Sequence, residues 1–139
     1  GFIDELPEST KQVVLKAVED TKNNTGMVLT FALNYGSRAE IIEATKAIST
    51  LVKQGELEIE KIDEAIFESH LQTQFLGELQ NPDLMIRTSG EVRLSNFLLW
   101  QLAYSEMIFV DVLWPDFTPD IFKKTIMEYQ RRSRRFGGR

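Results

Sequence analysis

The chain has 139 residues, 42% apolar, 27% charged and 10% aromatic, a balance that excludes a disordered tail or a collagen-like chain and suits one domain with a real core. Its formal charge of −5 is uneven: Arg131, Arg132, Arg134, Arg135 and Arg139 crowd the last nine positions, leaving 11 basic against 21 acidic residues before them. The acidic body would repel a phosphate backbone, so no nucleic acid is expected as a partner, while the basic tail suits an anion or an acidic neighbour.

In chain order, Ser9 and Gln12 have the spacing of a capping box, and Val13, Val14, Ala17 and Val18 form an apolar stripe, predicting a helix from about Ser9 to Lys22. Asn23-Asn24-Thr25-Gly26 breaks it, and the nearly all-apolar Met27–Leu33 run reads as a strand buried on both faces. Ser37 and Glu40 form a second capping-box pattern, opening a helix with Ile41, Ala44, Ile48, Leu51 and Val52 at helical spacing until Gln54-Gly55. Asp63 suits the cap of a short helix with Ile66, Phe67, His70 and Leu71 inward. After Asn81-Pro82, Asp83–Ile86 reads as a second buried strand, Arg87–Glu91 as a polar loop, and the stretch from Ser95 to Tyr104 as a helix apolar nearly all round. Met107–Val110 with Val112-Leu113 predicts a third strand. Thr118-Pro119-Asp120 caps a last helix that ends in the arginines. Alternating strands and helices on short loops predict an α/β fold, a mostly parallel sheet flanked by helices, in a single domain over residues 1–139.

With no cysteine, disulfides and thiolate metal sites are excluded, and any metal needs oxygen ligands. No run reaches the length of a membrane-spanning helix and no signal pattern opens the chain, so the cytoplasm is the expected compartment. In open α/β sheets ligands bind at the carboxyl ends of strands, and the loop after Ile86 is the richest of these. There Arg87 leaves a strand, Gly90 permits close backbone approach, Arg93 follows, and Ser95-Asn96 open a helix whose N–H groups favour an anion. Two guanidiniums, a hydroxyl and a helix dipole suit a diphosphate. Residue types alone equally suit ion pairs of Arg87 and Arg93 with acids such as Asp83 and Glu91, with Ser95 a plain cap, and spacing leaves both readings open. Glu106, between the buried helix and a buried strand, suits either Mg²⁺ or an arginine partner. Arg38, after Asn34-Tyr35-Gly36, sits where a strand-to-helix turn could bring it to a ligand. His70, the lone histidine, reads as a hydrogen-bonded packing residue, and Trp100 and Tyr104 as core.

The segment from Asp83 to Gln101, with Glu106 and then Asp111-Val112-Leu113-Trp114-Pro115-Asp116-Phe117, closely resembles the cis-prenyltransferases, and Asn34-Tyr35-Gly36, Arg38 and Arg135-Phe136-Gly137 agree with that family. The resemblance implies condensation of isopentenyl diphosphate onto an allylic diphosphate such as farnesyl diphosphate, repeated with cis geometry and assisted by Mg²⁺, to make the lipid carrier of cell-wall precursors. It implies that Arg87, Arg93, Ser95 and the backbone at Leu94 bind isopentenyl diphosphate, that Glu106 is a Mg²⁺ ligand, and that Arg135 and Gly137 reach a diphosphate across the interface of a homodimer. It also implies peripheral contact with the inner face of the plasma membrane through the lipid product.

Members of that family begin with a strand and a loop of the type His-x-x-Asp-Gly-Asn-x-x-Trp-Ala, whose aspartate is the central catalytic residue. These 139 residues contain no such loop. By resemblance the chain is the C-terminal portion of the catalytic domain, carries no catalytic aspartate of that kind, and is expected to be inactive alone. A competing expectation is a non-catalytic partner subunit of a cis-prenyltransferase complex.

Overall fold

Pro7 fixes where the first helix starts. In the computed structural model, which describes residues 1–133, its carbonyl accepts from the N–H groups of Thr10 and Lys11 at 2.9 and 3.0 Å, opening α1 (Glu8–Thr21). Ser9 therefore already lies inside the helix and the expected capping box does not form; Gln12 donates instead to Glu8 at 2.5 Å. The apolar stripe of α1 does not enter a core: Val13 and Val18 are 70% and 62% exposed, and no α1 residue is buried.

The described chain falls into two units, residues 1–72 and residues from Thr73 onward. In the first, the expected strand at Met27–Leu33 is absent. The run has no ladder partner and is largely solvent-exposed, Met27 at 89% and Phe31 at 71%. A strand exists only through bonds to a neighbour, so apolar composition alone could not make one here. Asn34 then adopts a left-handed φ of 47°, and its side-chain amide donates to the Phe2 carbonyl and to Glu5, each at 3.0 Å.

Next comes α2 (Ser37–Gln54), with Gly36 rather than Ser37 as its N-cap. Its buried side chains, Ser37, Glu40, Ala44 and Ile48, recur three or four residues apart and so occupy one face. Gly55 ends it as expected, with φ 74° and its N–H shared between the Leu51 and Val52 carbonyls. The short α3 (Glu64–Glu68) packs on α2 and is capped by Asp63, which accepts from the Ile66 N–H at 2.8 Å. Leu71, fully buried, follows it.

The second unit is built on two parallel strands, β1 (Leu84–Arg87) and β2 (Glu106–Phe109), paired from Leu84 with Glu106 to Arg87 with Phe109. Met85 and Ile108 are both buried and, standing in adjacent rows of the register, lie on opposite faces of the pair. Val112-Leu113 does not extend β2 as a strand; instead the loop after β1 runs beside it, the N–H of Gly90 donating to the Val110 carbonyl and that of Ser89 to Val112. Gly90 sits at φ 67°, and a Cβ there would lie 3.3 Å from an Asp111 carboxylate oxygen, so glycine suits the position twice over.

The stretch from Ser95 to Tyr104 is a succession of turns, not the expected helix. Ser95, Asn96 and Leu98 all have positive φ, and left-handed residues interrupt a right-handed ladder. Leu102 and Gln101 are buried there, while Tyr104 is 84% exposed rather than core. Finally α4 (Pro119–Arg131) opens as anticipated, with Thr118 as cap and Pro119 at the first helical position, and packs against β2.

Candidate functional site

Strand β1 delivers Arg87 at its carboxyl end. Its guanidinium donates to the Arg93 carbonyl and, at 3.3 Å, to the Ser95 hydroxyl, so these three residues are drawn together by the fold of one loop. Arg87, Arg93 and Leu94 line one cavity of about 140 Å³, floored by Met85, Ile86 and Phe97. That volume admits several water-sized groups. Among the described residues Arg87 makes no ion pair, whereas the Arg93 guanidinium pairs with Glu91. The Arg93 side chain is 64% exposed, and such surface pairs hold with little energy, so an anion with more oxygens can displace the carboxylate. The cradle departs from expectation in one respect. With Ser95 and Asn96 left-handed, no helix opens at Ser95, and the polar groups this loop brings together are the Arg87 and Arg93 guanidiniums and the Ser95 hydroxyl.

Glu106 opens β2 and is engaged by an arginine. Its Oε2 accepts from Arg132 at 2.8 Å, while Arg132 also donates to the Met107 carbonyl at 3.0 Å and to Glu128 at 2.6 Å. The two carboxylates raise the Arg132 pKa above its ordinary value, so it stays charged throughout the working range. Among the described residues no group of three or more potential metal-ligating side chains exists. Mg²⁺ seldom needs one: it keeps waters and takes one or two carboxylates together with phosphate oxygens. Glu106, with Oε1 outside the ion pair, fits that role as a donor of one oxygen, not as part of an all-protein cage.

His70 is a packing residue, its Nδ1 within 2.8 Å of the Ile66 carbonyl and 3.1 Å of the Ser69 hydroxyl. Arg38 lies in the first turn of α2 and is itself exposed. Arg135 and Gly137 lie outside the described residues. Two residues escaped the sequence reading: Arg132, hidden in a run of arginines, and Glu40, whose spacing from Ser37 suggested a cap but whose carboxylate is buried against Tyr35 and Gln72.

A family model described as "Putative undecaprenyl diphosphate synthase" matches residues 1–137. The chain belongs to this prenyltransferase family. Relatives in the undecaprenyl diphosphate synthase family include an isoprenyl transferase of Bacillus subtilis, 56% identical over 96% of this chain and 50% of the relative. Another, the ditrans,polycis-undecaprenyl-diphosphate synthase ((2E,6E)-farnesyl-diphosphate specific) of Micrococcus luteus, is 52% identical over 99% of this chain and 54% of its own length. The chain spans about half the length of the curated relatives it matches. Among solved structures, lavandulyl diphosphate synthase from Lavandula x intermedia, in complex with dimethylallyl diphosphate, superposes with a TM-score of 0.96 at 40% identity, over 99% of this chain and 58% of that one. A probable undecaprenyl diphosphate synthase from Campylobacter jejuni gives 0.81 at 33% identity, over 99% and 61%. The fold is therefore the α/β fold of this prenyltransferase family.

Proposed function

We propose that the protein is an undecaprenyl diphosphate synthase, adding isopentenyl diphosphate units with cis geometry to an allylic diphosphate such as farnesyl diphosphate, for the bacterial cell-wall lipid carrier. The observation that carries this reading is the convergence of Arg87, Arg93 and Leu94 on one cavity at the carboxyl end of β1. Arg87 and Arg93 hold the diphosphate of isopentenyl diphosphate by charge-assisted bonds, with the Ser95 hydroxyl and the backbone at Leu94 completing the grip. The farnesyl diphosphate specificity named for the Micrococcus luteus relative supports farnesyl diphosphate as the acceptor.

Glu106 supplies one oxygen to Mg²⁺, its carboxylate plane fixed by Arg132. Bound Mg²⁺ supplies neutralisation of the diphosphate that departs from the allylic substrate. Arg135 and Gly137 join a diphosphate site across a homodimer. The enzyme works in the cytoplasm, touching the inner face of the plasma membrane through its lipid product; no helix among the described residues is long and apolar enough to cross a membrane. The 139-residue chain alone, without the aspartate loop of the family type, does not turn over.

The test is incorporation of radiolabelled isopentenyl diphosphate by the full-length protein, given farnesyl diphosphate and Mg²⁺. A long labelled polyprenyl product is expected. A folded full-length protein that incorporates nothing defeats the assignment and favours the non-catalytic subunit.

A further inference from the structure

The cavity at the end of β1 has two chemistries. Arg87 and Arg93 bring charge to it, and the Arg93 side chain, 64% exposed, sets its charge at the rim. The other four of its six lining residues, Met85, Ile86, Leu94 and Phe97, are apolar. Apolar walls are a poor bed for a diphosphate taken whole, since they offer its oxygens no hydrogen bonds in place of water. The lining matches an amphiphile instead, an anionic head at the guanidiniums and an apolar group beneath it.

Strand geometry sets the spacing of the two parts. Met85 and Arg87 stand two residues apart in β1, so they share a face and lie about 6 to 7 Å apart along the strand. Met85 is 8% exposed and paired in register with Met107, which makes it a fixed floor. Leu94 and Phe97 come from the loop beyond, where the Phe97 N–H donates to the Leu94 carbonyl at 3.1 Å and the Arg87 guanidinium to the Arg93 carbonyl. The cavity measures about 140 Å³. An apolar cavity of about 150 Å³ takes one benzene, so a five-carbon group fits this one and a fifteen-carbon group exceeds it. The guanidiniums cannot make that distinction, because both substrates of the proposed reaction carry a diphosphate.

We propose that Met85 is a specificity-determining residue: its side chain floors the space that takes the five-carbon group of isopentenyl diphosphate while Arg87, two positions on, holds the head. The inference rests on the prenyltransferase reading above and adds to it the group that selects the size of the tail. Leu94 lines the same space from the side.

The experiment uses the full-length enzyme. Wild-type turnover comes first; an inert wild type removes the reading above, and this inference with it. With wild type active, calorimetry measures isopentenyl diphosphate, its homologue with ethyl in place of methyl, and inorganic diphosphate, each with an unreactive farnesyl diphosphate analogue filling the allylic site. Wild type is expected to bind the homologue about tenfold more weakly than isopentenyl diphosphate. Met85→Ala should weaken isopentenyl diphosphate about tenfold, leave inorganic diphosphate within about twofold, and bring the homologue to within about threefold of isopentenyl diphosphate. Should Met85→Ala fail to fold, Leu94→Ala, which shortens a half-buried side chain, is expected to give the same pattern and decides. A loss shared equally by all three ligands, or an unchanged preference for isopentenyl diphosphate over its homologue in the folded variant, overturns the specificity role and leaves the prenyltransferase reading standing.

Discussion

Arg87 and Arg93 converge on the same cavity but start from different positions. Arg87 spends its guanidinium on a neighbouring carbonyl and on the Ser95 hydroxyl, contacts that also hold it across the mouth of the loop. Arg93 must leave Glu91 before it can take a phosphate. Removing Arg87 therefore costs both a ligand contact and the geometry of its neighbours, whereas removing Arg93 also removes the partner of Glu91 and leaves that acid near the cavity. Arg87→Ala and Arg93→Ala are each expected to weaken isopentenyl diphosphate binding to the full-length protein by about 1.5 to 3 kcal/mol, measured by calorimetry. Arg87→Lys should not restore it, because both loop contacts come from the one Nη1, and an ammonium in its place has no second nitrogen to offer a phosphate as the guanidinium does. Unaltered affinity in both alanine variants would remove these residues from the site. That Arg87 and Arg93 share one loop was legible from the amino acids, since a strand end followed by a glycine loop brings residues six apart to one place, but spacing left open whether they meet acids or a ligand, and Arg93 is found with Glu91. The engagement of Glu106 by Arg132 was not, because nothing in a run of basic residues says which member turns back 26 positions to meet a carboxylate.

Capping chemistry explains which elements matched their sequence signals. Asp63 before α3, Gly55 after α2 and Thr118-Pro119 before α4 are local signals satisfied by local bonds, and each element boundary fell where the signal put it. The two capping-box patterns misled because an earlier residue took the cap, Pro7 in one case and Gly36 in the other. Longer-range demands overrode local pattern elsewhere: the apolar Met27–Leu33 run lacks the ladder a strand requires, and the stretch after Ser95 is broken by left-handed residues that apolar periodicity could not reveal. Among the caps that do form, bond length separates strong from weak. The Asp63 carboxylate lies 2.8 Å from its N–H, the Thr118 hydroxyl 3.4 Å from its own. Asp63→Ala is expected to lower unfolding free energy by about 1 kcal/mol and Thr118→Ala by about half that or less, in chemical denaturation followed by circular dichroism. Equal losses would mean that the longer bond shortens in solution.

The balance of apolar surface across the chain has a direct physical consequence. Within the first unit, Val13 and Val18 on α1 and Met27, Val28, Leu29 and Phe31 in the extended run are all between 60% and 89% exposed. Single exposed apolar residues are ordinary, but so many within one small unit act as an adhesive surface. The extended run adds unpaired backbone N–H and carbonyl groups, which makes it a template for pairing with another chain. The formal charge of −5 opposes association only weakly at physiological ionic strength, where charges more than about 8 Å apart are largely screened. The 139-residue chain prepared alone is therefore expected to bind a hydrophobic dye and to elute from a sizing column as a species larger than a monomer. Val13→Lys combined with Phe31→Lys should reduce both signals, since each places a charge in the apolar surface. A wild-type chain that elutes as a dye-silent monomer would show that this surface is covered in solution, and would require α1 and the 27–33 run to pack differently from the arrangement described above.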